Sequence, residues 1–125
     1  MRIVVAGIGN EFRGDDGAGL SAARLLRSRS IPDVEIHELN GEITRLVDIL
    51  QAGCSVVLID ATRSPNPPGT ILRIDVSNSP LPPETQHRST HGIGLSSVIE
   101  LAHGAGNVPS RLVFYGIEGE SFDHA

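Results

Sequence analysis

A doubly wound α/β sheet is the fold this sequence predicts, and three observations carry the prediction. Apolar runs that read as buried strands alternate with stretches of helical periodicity in βαβαβ order. The first strand opens into a glycine-rich turn that leads straight into a helix, as in open parallel sheets. With 125 residues, 39% of them hydrophobic, the chain can bury one core and is expected to form a single domain over residues 1–125.

The elements follow in order. Arg2-Ile3-Val4-Val5-Ala6 reads as a buried parallel strand, and Ala18, Ala22, Leu25 and Leu26 recur at helical spacing after the glycines. Between them lies Gly7-Ile8-Gly9-Asn10-Glu11-Phe12-Arg13-Gly14-Asp15-Asp16-Gly17-Ala18-Gly19. Asp15 is expected to cap the helix, with Asp16 one residue further in, where unpaired backbone N–H groups and the helix dipole favour an anion. Val34 to Leu39 alternates like a strand near a sheet edge and is broken by Asn40-Gly41. Ile43, Leu46, Val47 and Leu50 then keep the spacing of a helix lying on a sheet, and Ser55 to Ile59 is a buried strand ending at Asp60.

The link from Thr62 to Pro68, with Pro65, Pro67 and Pro68, is too short for a parallel crossover, so the strand at Thr70 to Val76 should run antiparallel. The loop after it, Ser77 to Thr90, is expected at the carboxyl edge of the first and third strands, and its length marks it as functional. Leu95, Val98, Ile99 and Ala102 form a third helical stripe, and Leu112 to Ile117 a fifth strand.

Composition removes several function classes. Ten basic residues, all arginine, stand against fifteen acids for a net charge of -5. Lysine catalysis is excluded, and nucleic acid is a poor partner for so acidic a surface. The first strand begins at residue 2 and no apolar run approaches the ~20 residues of a membrane span, so a cytoplasmic protein is expected. Cys54 is the sole cysteine, which excludes an internal disulfide and a thiolate zinc site. The dinucleotide fingerprint fails because Phe12 stands where its third glycine belongs. Walker A, G-x-S-x-G and H-E-x-x-H sequences are absent.

Topology instead gathers Asp16, Asp60 and His91 at one sheet edge, beyond the strand carboxyl ends where open α/β sheets bind ligands. Two carboxylates and an imidazole form an incomplete shell for a divalent metal, and a cation relieves the repulsion of the paired acids. Each residue has a plainer reading: Asp16 as a helix N-terminal acid, Asp60 as a turn residue, His91 as a loop or cap residue. His87 is a further ligand candidate, while His37, His103 and His124 are taken as structural.

The opening Met1-Arg2-Ile3-Val4-Val5-Ala6-Gly7-Ile8-Gly9-Asn10 with Asp15-Asp16-Gly17-Ala18-Gly19 resembles that of the [NiFe]-hydrogenase maturation proteases, C-terminal endopeptidases. Later landmarks resemble the family in order: Val57-Leu58-Ile59-Asp60-Ala61, Pro68-Gly69-Thr70, Ser89-Thr90-His91-Gly92-Ile93-Gly94-Leu95 and Gly116-Ile117-Glu118. The resemblance implies a three-layer α/β/α fold with a five-stranded mixed sheet of order 2-1-3-5-4 and strand 4 antiparallel. It implies an aspartyl-type endopeptidase that recognises nickel, supplied by the substrate protein, in the precursor of a [NiFe]-hydrogenase large subunit and removes its C-terminal peptide. Asp16, Asp60 and His91 match the family's metal-contacting acid, acid and histidine and are the expected catalytic set. Metal-activated water and a carboxylate general base both fit these residues. The chain departs from the pattern at Gly119, where the family has proline, and stops short of the family's C-terminal helix; a shortened chain, self-association through the uncovered sheet face, and a natural variant with impaired catalysis are the alternatives this leaves. The rival readings are a non-catalytic metal- or partner-binding module of the same fold, and a nucleotide-binding domain in which Glu38 or Asn40 contacts a ribose.

Overall fold

Strand runs that are apolar on both faces must be covered on both faces, and the chain does this by sending successive helices to opposite sides of one sheet. A computed structural model describes residues 3–9, 17–40, 43–51, 55–62, 67–77, 99–100, 103–104 and 109–119. Its elements are β1 (Ile3–Ile8), α1 (Ala18–Ser28), β2 (Val34–Leu39), α2 (Ile43–Gln51), β3 (Ser55–Thr62), β4 (Ile71–Asp75) and β5 (Leu112–Glu118). The sheet order is β2-β1-β3-β5-β4. β1, β2, β3 and β5 are mutually parallel and β4 pairs antiparallel with β5, as the short proline-rich link requires.

Register sorts the side chains. Val4, Ala6 and Ile8 share a face with Val56 and Leu58 of β3 and with Leu112 and Phe114 of β5. These residues join Leu46, Ile49 and Leu50 of α2, together with Val76 and Ile99, in the main core. α1 covers the other face, packing on β1, β2 and β3. There Ala23 is fully buried and Leu20 nearly so. On that same face Ile71 of β4 is 64% exposed, and Tyr115 and Ile117 beside it are half-buried.

Four expectations need correction. β1 runs on to Ile8, two residues past Ala6, because β3 pairs with it through Gly7 and β2 through Ile8. β3 likewise does not end at Asp60: Asp60, Ala61 and Thr62 pair with Gly116, Ile117 and Glu118, so β5 extends the ladder past the acid. The cap of α1 is Gly17, without a side-chain cap hydrogen bond, and no acid lies in the first turn. Gly17 thus takes the cap position expected of Asp15; Asp15 and Asp16 themselves lie outside the described residues. Finally, the segment after β4 leaves from the amino edge of the parallel strands, since Asp75 pairs with Val113 near the start of β5 and Val76 N–H donates to Leu112 O at 2.9 Å. A strand that enters antiparallel at the carboxyl edge must leave at the opposite one.

Ser77 fixes that exit. Its N–H donates to Asp75 Oδ1 at 2.9 Å, and Leu112 N–H donates to its hydroxyl at 2.8 Å. The Ser77 amide and hydroxyl beside Asp75 hold that carboxyl below its ordinary value. Of the third helical stripe, Ile99 lies within the described residues and is fully buried; residues 78–98 lie outside them.

Candidate functional site

The sheet's topological switch point lies between β1 and β3. From β1 the chain passes through α1 to β2 on one side, and from β2 through α2 to β3 on the other. Two glycines let the start of α1 settle into this crevice. A Cβ on Gly19 would come within 3.0 Å of the carbonyl oxygens of Ile8 and Ile59, and one on Gly7 within 3.0 Å of Gly19 O and Ala23 Cβ. Helix backbone thus rests directly on strand backbone at the carboxyl ends of β1 and β3. Gly17, the residue that follows Asp16 in the chain, is buried there.

Asp60 comes directly after Ile59, whose carbonyl Gly19 approaches, and it is 5% exposed. Its Oδ1 accepts a hydrogen bond from Ala61 N–H at 2.8 Å. A carboxyl this deeply enclosed needs partners for its oxygens, because burying one without them is costly. Its register partner on β5 is Gly116, which contributes no side chain beside it. One step further along the same face comes Glu118, 4% exposed.

Of the three residues the sequence brings together, Asp60 is therefore placed as expected on the carboxyl edge, inside the strand rather than at its end. Asp16 and His91 lie outside the described residues, as do His87 and His124. Among the described residues no group of three or more His, Cys, Asp or Glu could hold a metal. No helix among them is long and apolar enough to cross a membrane.

Two histidines taken as structural acquire definite partners. His37 Nε2 lies 2.7 Å from Glu35 Oε2 while its Nδ1 lies 3.2 Å from Arg45 Nη2. Since arginine is always a donor, Nδ1 accepts and the proton of neutral His37 sits on Nε2. His103 Nε2 lies 2.9 Å from Val76 O, pinning the helical residues 103–104 to the end of β4. Glu38 is engaged as well. Its Oε1 accepts from Arg24 Nε at 2.6 Å and its Oε2 pairs with Arg27 Nη1. The Arg24 hydrogen bond, joined by Arg27, holds the carboxyl below its usual value against the opposing effect of burial. With both oxygens held by α1, Glu38 is occupied in joining helix to strand, which counts against its reading as a ribose contact.

Sequence reasoning passed over Glu118 as a site residue, quoting it only as a strand terminus. The available signal was spacing: Leu112, Phe114, Gly116 and Glu118 alternate onto one face. Its burial shows only once β5 is paired with β3 and joined to the Gly69–Thr70 turn.

Comparison with known proteins adds to this geometry. A family profile described as HycI, hydrogenase maturation protease, matches residues 22–125. The hydrogenase 2 maturation protease of Escherichia coli is 30% identical over 126 aligned positions, covering 98% of this chain and 76% of that protein. The hydrogenase expression/formation protein HupD of Thiocapsa roseopersicina is 29% identical and covers 97% of this chain. This chain spans 56% of that relative's length, and 61% of the HoxM protein of Cupriavidus necator. Among solved structures, an endopeptidase from Escherichia coli superposes with a TM-score of 0.82 at 24% identity, over 99% of this chain and 78% of that one. The HycI maturation protease from Thermococcus kodakarensis gives a TM-score of 0.68 at 29% identity, over 98% and 77%. The match over most of the chain, together with the sheet order and the buried aspartate at its switch point, shows that this chain belongs to the hydrogenase maturation protease family.

Proposed function

We propose that the chain is an endopeptidase that recognises nickel in the precursor of a [NiFe]-hydrogenase large subunit and removes the precursor's C-terminal peptide. The observation that carries this reading is Asp60, a buried carboxylate at the carboxyl edge of the switch point in a chain of this family. An enclosed aspartate supplies a hard, fixed oxygen donor, and Asp16 and His91 are the partners we assign to it. Three donors leave open the positions that a metal carried by a protein substrate needs, so the nickel arrives as part of the substrate and is not held as a resident cofactor. Bound there, the cation would polarise the carbonyl next to it. Asp60 orients the loaded precursor, and the rigid seat of α1 on β1 and β3 keeps that orientation fixed. Action in the cytoplasm on an unassembled subunit accompanies this reading.

The test is incubation with nickel-loaded precursor. Wild type should yield a shortened large subunit, and Asp60→Asn, Asp16→Ala and His91→Ala should each slow its appearance by roughly a hundredfold or more. Intact precursor after incubation with the wild type would sink the endopeptidase reading and leave a binding module.

A further inference from the structure

The sheet has two outer strands, β2 and β4, and their edges differ. In β2, Leu39 gives its carbonyl to Gly9 N–H on the β1 side, so by alternation Ile36 turns its backbone groups outward. That carbonyl is already engaged. Arg27 Nη2 of α1 donates to Ile36 O at 3.0 Å, and the helix closes the β2 edge. At β4, Glu118 N–H donates to Thr70 O at 2.8 Å and Val76 N–H to Leu112 O at 2.9 Å. In the register that pairs Ile71 with Ile117, this parity makes Leu72 and Ile74 direct their backbone groups to β5. Ile71, Arg73 and Asp75 turn theirs outward, where no described strand meets them. These three residues are exposed, while Leu72 and Ile74, on the other face, are half-buried.

An open strand edge is a template for a further strand, and its side chains select the partner. Arg73 and Asp75 are opposite charges on one face of β4. Laying a second β4 antiparallel to the first, with the two-fold axis through Ile74, sets Arg73 of each copy across from Asp75 of the other. Neighbouring registers fail. Centring on Arg73 or on Asp75 opposes like charges, and centring on Leu72 sets Arg73 against Ile71. The backbone parity agrees with the charges: Arg73 and Asp75 face outward and form a hydrogen-bonded pair, while Ile74 meets its own copy in the closer, non-hydrogen-bonded pair. Leu72 then lies across from Val76, so the second face is aliphatic. Arg73 Nε lies 3.2 Å from Tyr115 OH, which leaves the Nη donors of the guanidinium for a carboxylate. We propose that β4 is a homodimer interface, at which two copies of this chain join edge to edge, antiparallel about Ile74, with reciprocal Arg73–Asp75 pairs. The proposal is independent of the nickel reading.

The contact is one strand wide and belongs with small, weak interfaces, so a Kd on the order of 100 µM is expected. The experiment is sedimentation equilibrium from about 10 to about 1000 µM chain, a range that spans this Kd, with folding of each variant checked by circular dichroism. Wild type should pass from monomer to dimer. Arg73→Asp opposes acid to acid and Asp75→Arg opposes arginine to arginine, and each should weaken dimerisation roughly tenfold or more. The double variant Arg73→Asp/Asp75→Arg restores both pairs and should dimerise within about threefold of wild type. Because Asp75→Arg also removes the acceptor of Ser77 N–H, Arg73→Pro is a second probe. It deletes an outward N–H and no bond to β5, so it should abolish the dimer and leave the monomer folded. A chain that stays monomeric across the range overturns the proposal. So does a dimer indifferent to Arg73→Asp and Arg73→Pro, which would place the contact elsewhere on the molecule.

Discussion

The two ends of the β2-β1-β3 half of the sheet are held to α1 by different means. At the β1–β3 crevice the contact is backbone on backbone, through Gly7 and Gly19, with no space for one added carbon. At the β2 edge it is charge on charge: Glu38 with Arg24 and Arg27, whose side chains are 50% and 52% exposed. Close packing is short-ranged and indifferent to salt and pH. Exposed ion pairs are screened, and each contributes about 1 kcal/mol or less. The crevice, where the aspartate sits, is thus set by the less adjustable of the two, and the edge tolerates variation.

Gly19→Ala is the sharpest way to break that contrast. The new Cβ would meet the Ile8 and Ile59 carbonyls, and neither can step aside by changing rotamer. Overpacking of well-packed sites commonly costs about 1–3 kcal/mol, and backbone obstruction belongs at the top of that range. A loss of about 3 kcal/mol in urea unfolding is expected, with a fall in Tm of roughly 10 °C, the same in low and high salt. Stability within about 0.5 kcal/mol of wild type would show that α1 can lift from the sheet, and that the crevice is not rigidly specified.

Much of this architecture was legible in the sequence for a physical reason: burial on both faces forces continuous apolar runs, so β1, β3 and β5 announce themselves, and the short link with Pro67 and Pro68 dictates the direction of β4. Asp60 was legible because an acid closing such a run breaks the apolar pattern. Element ends were not. β3 overran Asp60 because its length is decided by β5, a partner more than fifty residues away in sequence. The cap of α1 is Gly17, because the helix starts where its backbone can meet β1 and β3, a tertiary condition that local sequence does not show. The exit edge of β4 was deducible from the antiparallel direction and was assigned to the wrong end. Glu118 escaped because its burial depends on the neighbouring strand.

A partly buried hydrogen bond to a backbone carbonyl should fall between the two regimes. His103 to Val76 O is such a bond, at the amino edge, joining a helical segment to the end of β4. His103→Ala should cost about 1 kcal/mol, read from urea unfolding at pH 7, with slight salt dependence. A cost as large as that of Gly19→Ala would mean that the grading by contact type is wrong.

Glu38→Gln probes the other extreme and should have the smallest effect. The Arg24 hydrogen bond lowers the Glu38 carboxyl below its ordinary value, with Arg27 adding to it. A depressed acid contributes stability above its unfolded value, near 4.5, and loses that contribution as pH falls through the folded value. At pH 7 and low salt the variant should be less stable by about 0.5–1 kcal/mol, given how exposed both arginines are. The difference should shrink at about 1 M salt, where screening acts within about 3 Å. It should vanish once the pH is low enough to protonate Glu38 in the folded wild type, because both side chains are then neutral. The Gly19→Ala deficit should not change along either axis. If the Glu38→Gln deficit proves equally insensitive to salt and acid, the side chain's shape holds the β2 edge, and its charges are incidental.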